Sequence, residues 1–284
     1  MNQDKIYALL QGSYDLHIHP APSHFPRLMD DFQLLEDASA HGMAGIMLKS
    51  HYECTAGRAA MANLHLSDLT TRAYGSVTLN WPVGGLNPYA AESALRLGGS
   101  FVWMPTRDAA NSLTYGDMPG DFFSRPGIRI TDETGALLPV IYDIFDVVKK
   151  YDATLGTGHI STQESIALCT AGVKAGVRMS LTHPEWERTI VPVEVQVELA
   201  HQGVLLEKCW ANVAEGTVTA AEMASHIKLV GADSCFLTTD RGQAGLEPPV
   251  QGYAKFIQAL CEHGIGIDEL SIMMRDIPAR MLAQ

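Results

Sequence analysis

No Cys-x-x-Cys pair occurs in this chain, and its five cysteines (Cys54, Cys169, Cys209, Cys235, Cys261) are scattered and odd in number. That excludes a thiolate zinc ribbon and a disulfide framework. Basic residues are scarce, 20 Lys and Arg against 32 Asp and Glu, for a net charge of −12. An acidic surface argues against nucleic acid or an anionic membrane as partner. It leaves the sign of a single pocket open, because a bound cation would dominate there. No apolar run reaches membrane-spanning length, and the first residues, Met1 to Lys5, carry no signal-peptide pattern. With free thiols and twelve methionines, the expectation is a cytoplasmic protein. A Gly-rich dinucleotide turn, a Walker sequence, internal repeats and low-complexity segments are all missing.

What is present is a core. Hydrophobic residues make up 46% of the 284 positions and charged residues 18%, which is ample for folding and too apolar for disorder. The length suits one large α/β domain or two small ones. No boundary interrupts the pattern, so residues 1–284 read as a single domain.

That pattern alternates. Strand-like runs fall at 14–18, 45–51, 73–80, 101–105, 154–160, 178–182, 204–209 and 235–239. Helical periodicity follows them, with recognisable starts and stops. Asn87-Pro88 combines a cap with a proline at the first helical position, and Ser161-x-x-Glu164 and Thr219-x-x-Glu222 are capping boxes. Gly42, Gly176, Gly203, Gly231 and Gly264 end helices. A helix is expected from Gly252 to His263 and a last one from Asp268. Eight strand-then-helix units require parallel strands, and their even spacing predicts an α/β fold of the (β/α)8 TIM-barrel type. One stretch departs from the rhythm: Thr106 to Leu138, rich in Gly, Pro, Asp and Ser, reads as a long functional loop with a short hairpin over 127–135.

In such a barrel the site lies at the C-terminal strand ends. His17 and His19 close the first strand one residue apart, so strand alternation turns both to one side. Lys49 and His51 end the second strand, His159 the fifth, His183 the sixth and Asp240 the eighth, with Glu207 on the seventh. Imidazole and carboxylate donors in a cavity open to water suit a divalent metal, zinc first, with manganese or iron as alternatives. His51 could bind metal or place a substrate, and Arg241, just past a strand end, could clamp one. Trp81, Trp103, Trp186 and Trp210 read as barrel core, with the lining of an apolar pocket as the alternative for some of them.

His-x-His after strand one, single histidines after strands five and six, and an aspartate after strand eight resemble the amidohydrolase superfamily, over essentially the whole chain. The tail Asp276-Ile277-Pro278-Ala279-Arg280-Met281-Leu282 is similar to that family's closing Asn-Pro-Ala-x-x-Leu, less its Asn. The resemblance implies a metal-dependent hydrolase with one or two ions held by His17, His19, His159, His183 and Asp240. It also implies that Asp240 serves as the proton-handling residue and that the bond attacked is an amide, cyclic amide or lactone. One position departs. Two-metal relatives bridge their ions with a carbamylated lysine or a glutamate after strand four, where this chain reads Trp103-Met104-Pro105-Thr106. Lys49 is the stand-in, either as a carbamate ligand or as an ammonium paired with Glu207 or substrate. Phosphoesterase, lyase or decarboxylase chemistry on the same scaffold are the alternatives, with a non-catalytic metal-dependent binding protein as the rival of another class. The partner expected is a small-molecule substrate, and a homo-oligomer is left open.

Overall fold

The computed structural model describes residues 3–282. Its eight strands are β1 (Tyr14–Ile18), β2 (Gly45–Leu48), β3 (Arg72–Thr78), β4 (Gly99–Trp103), β5 (Thr154–Gly156), β6 (Arg178–Leu181), β7 (Leu205–Cys209) and β8 (Cys235–Thr238). They pair in chain order, every pair parallel. At the seam the Asp240 amide donates to His17 O at 2.9 Å, the His19 amide donates to Arg241 O at 2.8 Å, and Ile18 bridges Arg241. The Tyr253 hydroxyl sits across the same seam, 2.9 Å from Tyr14 O and 3.2 Å from Leu237 O. The architecture is a (β/α)8 barrel, as the alternating pattern predicts.

The helix signals translate into contacts. Asn87 caps Pro88–Arg96 by accepting from the amides of Tyr89 and Ala90. The boxes at Ser161/Glu164 and Thr219/Glu222 both form. Differences are local. Pro249–Glu262 begins three residues before the expected Gly252, because Pro249 takes the first helical position, where its missing N–H costs nothing. Gln3–Leu9 is a helix without a sequence signature, as it buries only Ile6. Within 106–138 lie a short helix at Ala110–Leu113 and a bridge between Thr131 and Leu137 rather than a hairpin over 127–135.

Two hydrophobic layers form. Strand residues that point outward, such as Ile18, Ile46, Leu48 and Val102, pack under the helices. Leu16, Met47, Phe101, Trp103 and Phe236 fill the barrel interior, with Ile277, Met281 and Leu282 of the C-terminal segment against them. Trp103 alone of the four tryptophans is fully buried there. Trp81 is exposed, and Trp210 is half-buried with its indole N–H on Glu247 at 2.8 Å.

Strict alternation along β1 would set Leu16 and His17 on opposite faces. The register instead runs Tyr14–Gly45, Asp15–Ile46 and Ile18–Leu48, so Leu16 and His17 together oppose Met47. This bulge lets Leu16 enter the interior layer while His17 faces inward above it. The Asp15 carboxylate holds the bulge by accepting from the His17 amide at 3.2 Å and from Thr239 through both its amide, at 3.2 Å, and its hydroxyl, at 2.5 Å.

Candidate metal centre

His17 is the hub. Its Nδ1 lies 2.6 Å from Glu207 Oε1 on β7, and both side chains are buried. Burial acts to raise the Glu207 pKa, but His17, His183 and Lys49 outweigh it and bring the carboxyl down to about 2. An ionised carboxylate only accepts, so His17 Nδ1 carries the proton and Nε2 presents its lone pair. The Lys49 amine donates to that lone pair at 2.8 Å. His19 repeats the arrangement: its Nδ1 faces the carbonyl of Lys49 at 3.1 Å, which again places the lone pair on Nε2.

The two Nε2 atoms are 3.2 Å apart. Asp240 Oδ1 lies 3.3 Å from the first and 3.0 Å from the second. Burial disfavours the Asp240 anion, yet the charges around it hold its carboxyl well below the usual range. The ring of His19 stays neutral because burial pushes its pKa far down. Two lone pairs and a carboxylate oxygen therefore converge on one point. The Lys49 amine meets only the His17 lone pair, so the His19 lone pair and the carboxylate oxygen face each other unsatisfied, at a cost of about 1–3 kcal/mol each when buried. A cation at that point resolves the conflict, and the outward Nδ1–H bonds are those that orient metal-binding histidines.

His159 and His183 extend the wall of the same cavity, their rings 5.1 Å apart. His183 Nδ1 lies 3.1 Å from Thr189 Oγ1, whose own hydrogen goes to His183 O at 2.9 Å, so this ring also turns a lone pair away from Nδ1. Burial lowers the His183 pKa to about 4 and carries those of His159 and His51 well below their ordinary value. His159 Nδ1 is buried without a hydrogen-bond partner among the described residues. His51 stacks on His19 with ring centroids 4.6 Å apart, and its Nδ1 meets Thr106 Oγ1 at 2.8 Å. His183 and Asp240 both sit at positive φ, +25° and +51°, a backbone state that non-glycine residues adopt mainly where the surroundings impose it. Gly242 explains part of this. At φ +130° a Cβ there would lie 2.0 Å from His19 O, so only glycine lets the loop after Asp240 pass this close to β1.

Lys49 is buried beneath the histidines, its Nζ also 4.3 Å from the centroid of the Trp103 ring. Burial lowers its pKa to about 8, against the pull of Asp240 and Glu207. Arg241 is placed elsewhere than a substrate clamp would be. Its Nε bonds Glu247 at 2.8 Å, its Nη1 bonds Glu215 at 3.1 Å, and its side chain does not line the cavity. What it contributes to the site is its backbone, at the β8–β1 seam.

The cavity measures about 220 Å³. Besides the histidines and Asp240 it is lined by Phe25, Arg27, Arg107, Met118, Trp186 and Asn212. Met118 and Pro119 come from the long segment after β4, which thus supplies part of the cavity wall.

A family of unknown function, DUF6282, matches residues 12–207. The chain belongs to that family. The span shared with DUF6282 contains His17, His19, Lys49, His51, His159, His183 and Glu207, and stops before Asp240. No curated protein matches the chain. Among solved structures, an amidohydrolase from Pseudomonas aeruginosa superposes with a TM-score of 0.68 at 13% identity, covering 99% of this chain and 98% of that one. The organophosphorus hydrolase from Deinococcus radiodurans gives 0.62 at 14% identity, over 97% and 93%. A structure from the engineering of organophosphate hydrolysis on a weak promiscuous lactonase template gives 0.60 at 16%, over 97% and 96%. At these identities the likeness is one of fold.

Trp186 takes the alternative role, lining the cavity rather than packing in the barrel core. One lining residue of this DUF6282 chain escapes a sequence reading. Arg27 lies in a proline-broken loop, carries no motif, and is brought to the cavity only by the folded loop.

Proposed function

We propose that this protein is a metal-dependent hydrolase of the amidohydrolase type, acting on an amide, cyclic amide or lactone of a small molecule. The observation that supports it most is the convergence of His17 Nε2, His19 Nε2 and Asp240 Oδ1 in an open cavity. Those three residues would hold a divalent ion, zinc first and manganese or iron as alternatives, with His159 and His183 as further donors. When bound, such an ion supplies Lewis acidity, which brings the ionisation of water towards neutral pH and polarises a carbonyl. Asp240 is ionised and takes the proton of the attacking water, then passes it to the leaving group. Glu207 keeps His17 in the tautomer that binds, and Lys49 O does the same for His19. His51 and Trp186 shape the substrate's place beside them.

The similar folds of an amidohydrolase and of a lactonase-derived enzyme agree with this bond class. The fold of an organophosphorus hydrolase makes a phosphoester the second reading. Among the described residues no helix is long and apolar enough to cross a membrane, and the five cysteines are free, which suits the cytoplasm. A panel of amides, lactones and phosphoesters, assayed on zinc-loaded protein before and after chelation, tests the reading. Turnover of an amide or lactone that disappears with the metal supports it. Turnover of phosphoesters alone favours the second reading, and turnover that survives chelation contradicts both.

A further inference from the structure

The arginines around the cavity differ in how their charge is met. Arg58 is fully engaged by Asp31, Glu53 and the carbonyl of Ala21. Arg241 is held by Glu247 and Glu215. Arg107 places Nη1 on Asp121 at 3.0 Å and on Pro119 O at 2.9 Å, but its buried Nε has no partner among the described residues. Arg27 is the outlier. Its Nε and Nη1 are both buried, neither has a partner among the described residues, and the side chain lines the cavity that holds His17, His19 and Asp240.

Arg27 is also held in place. Its backbone bridges Gln243, the Leu28 amide donates to Gly242 O at 2.8 Å, and the Ala244 amide donates to Pro26 O at 3.2 Å. Its guanidinium lies 4.0 Å from the centroid of the Phe25 ring, and that of Arg107 lies 5.5 Å from the same ring. Two cations thus share one aromatic platform at the edge of the site. Two buried guanidinium nitrogens without partners are costly unless an anion completes them, and Asp240 acts on Arg27 through its charge alone, with no hydrogen bond. Glu215 is spoken for by Arg241, and Asp121 by Arg107. A divalent ion on the histidines and Asp240 would leave this cavity net positive, although the whole chain is acidic.

We propose that Arg27, with the free Nε of Arg107, forms a carboxylate subsite, so that the molecule bound beside the metal centre is a compact acid. A planar carboxylate matches the fork of one guanidinium. The cavity, about 220 Å³, is below the ~300–1,000 Å³ of drug-sized sites, which sets the size of the acid at a few carbon atoms beyond its reacting group. The inference rests on the metal-hydrolase reading for the identity of the bound acid as substrate, and on the orphaned guanidinium alone for the subsite.

Isothermal titration of zinc-loaded protein with glutarate, with its neutral diamide and with inorganic phosphate tests it. Glutarate should bind saturably and at least tenfold more tightly than the diamide or phosphate. Arg27→Met should weaken glutarate at least tenfold and the diamide not at all, with Arg27→Lys in between. An unchanged thermal midpoint shows that the variants fold. Failure of glutarate to bind, a loss of less than twofold in Arg27→Met, or a preference for phosphate would overturn the proposal. Activity separates the two ideas. Arg27-dependent glutarate binding with no hydrolysis of any carboxylated amide or lactone upholds the subsite and removes the hydrolase. Hydrolysis that treats a carboxylated substrate and its methyl ester alike, in both wild type and Arg27→Met, does the reverse.

Discussion

His17 Nδ1 and Glu207 Oε1 lie 2.6 Å apart, on strands 190 residues apart in the sequence. The same carboxylate accepts from the His183 amide at 2.9 Å and from the Thr238 hydroxyl at 2.7 Å. One buried anion thus ties β1, β6 and β8 together below the proposed ion. Glu207→Gln keeps the shape and removes the charge. Zinc affinity should fall about 10- to 100-fold, read by competition with a chromophoric chelator. Affinity within twofold of wild type would show that Glu207 serves packing alone.

Lys49 competes with a metal for one lone pair, since its amine already donates to His17 Nε2 at 2.8 Å. An ammonium there repels a cation, whereas a carbamate would be a ligand. With the amine as it stands, Lys49→Met should bind one ion per chain, more tightly than wild type. A wild type that carries two ions in bicarbonate and falls to one or none in Lys49→Met, with partial rescue by acetate, would establish the carbamate instead. Elemental analysis distinguishes the two.

Lys208 and Glu185 form a buried pair on the other side of β7, 2.5 Å apart, with Gln196 Oε1 accepting from the same amine at 2.7 Å. Burial acts to raise the Glu185 pKa, and Lys208 more than offsets it. Removal of one partner strands the other charge, so Lys208→Met should lose roughly 3–5 kcal/mol in urea unfolding. Lys208→Met combined with Glu185→Gln should recover part of that loss. Equal destabilisation in the single and double variants would contradict the account.

Glu247 gives a pH signature. Burial works against its anion, but bonds from Trp210, Arg241 and Lys255 bring its carboxyl to about 2 from an ordinary 4.5. The folded state therefore holds the anion more strongly than the unfolded chain does. The resulting stability is complete above about pH 4.5 and is lost as pH falls towards 2. Glu247→Gln should cost roughly 1 kcal/mol at pH 7, screening by solvent included, and nothing near pH 2. A deficit independent of pH in this window would rule out a charge effect.

The barrel was legible because each unit carries its own punctuation. Local bonds at Asn87, Ser161 and Thr219 form as their sequence signatures require. That the His17 and His19 rings meet on one side was legible because the two lie two residues apart along one strand. The bulge that also turns Leu16 inward was not, since it depends on how Met47 of the neighbouring strand packs. Arg241 read as a clamp because its two carboxylates, Glu215 and Glu247, reach it from separate loops. Arg27 went unread for the converse reason. That its buried Nε and Nη1 find no partner among the described residues is a property of the folded cavity, to which no residue beside it in the chain points.

His17, His19 and Asp240 are proposed to hold a divalent ion. Metal content per chain, measured on protein stripped and then offered zinc or manganese, tests it most directly. The account predicts at least one tightly held ion in wild type and loss of that ion in His19→Ala, with the fold intact by circular dichroism. Protein that takes up neither metal, or a His19→Ala variant that binds as wild type does, would contradict it.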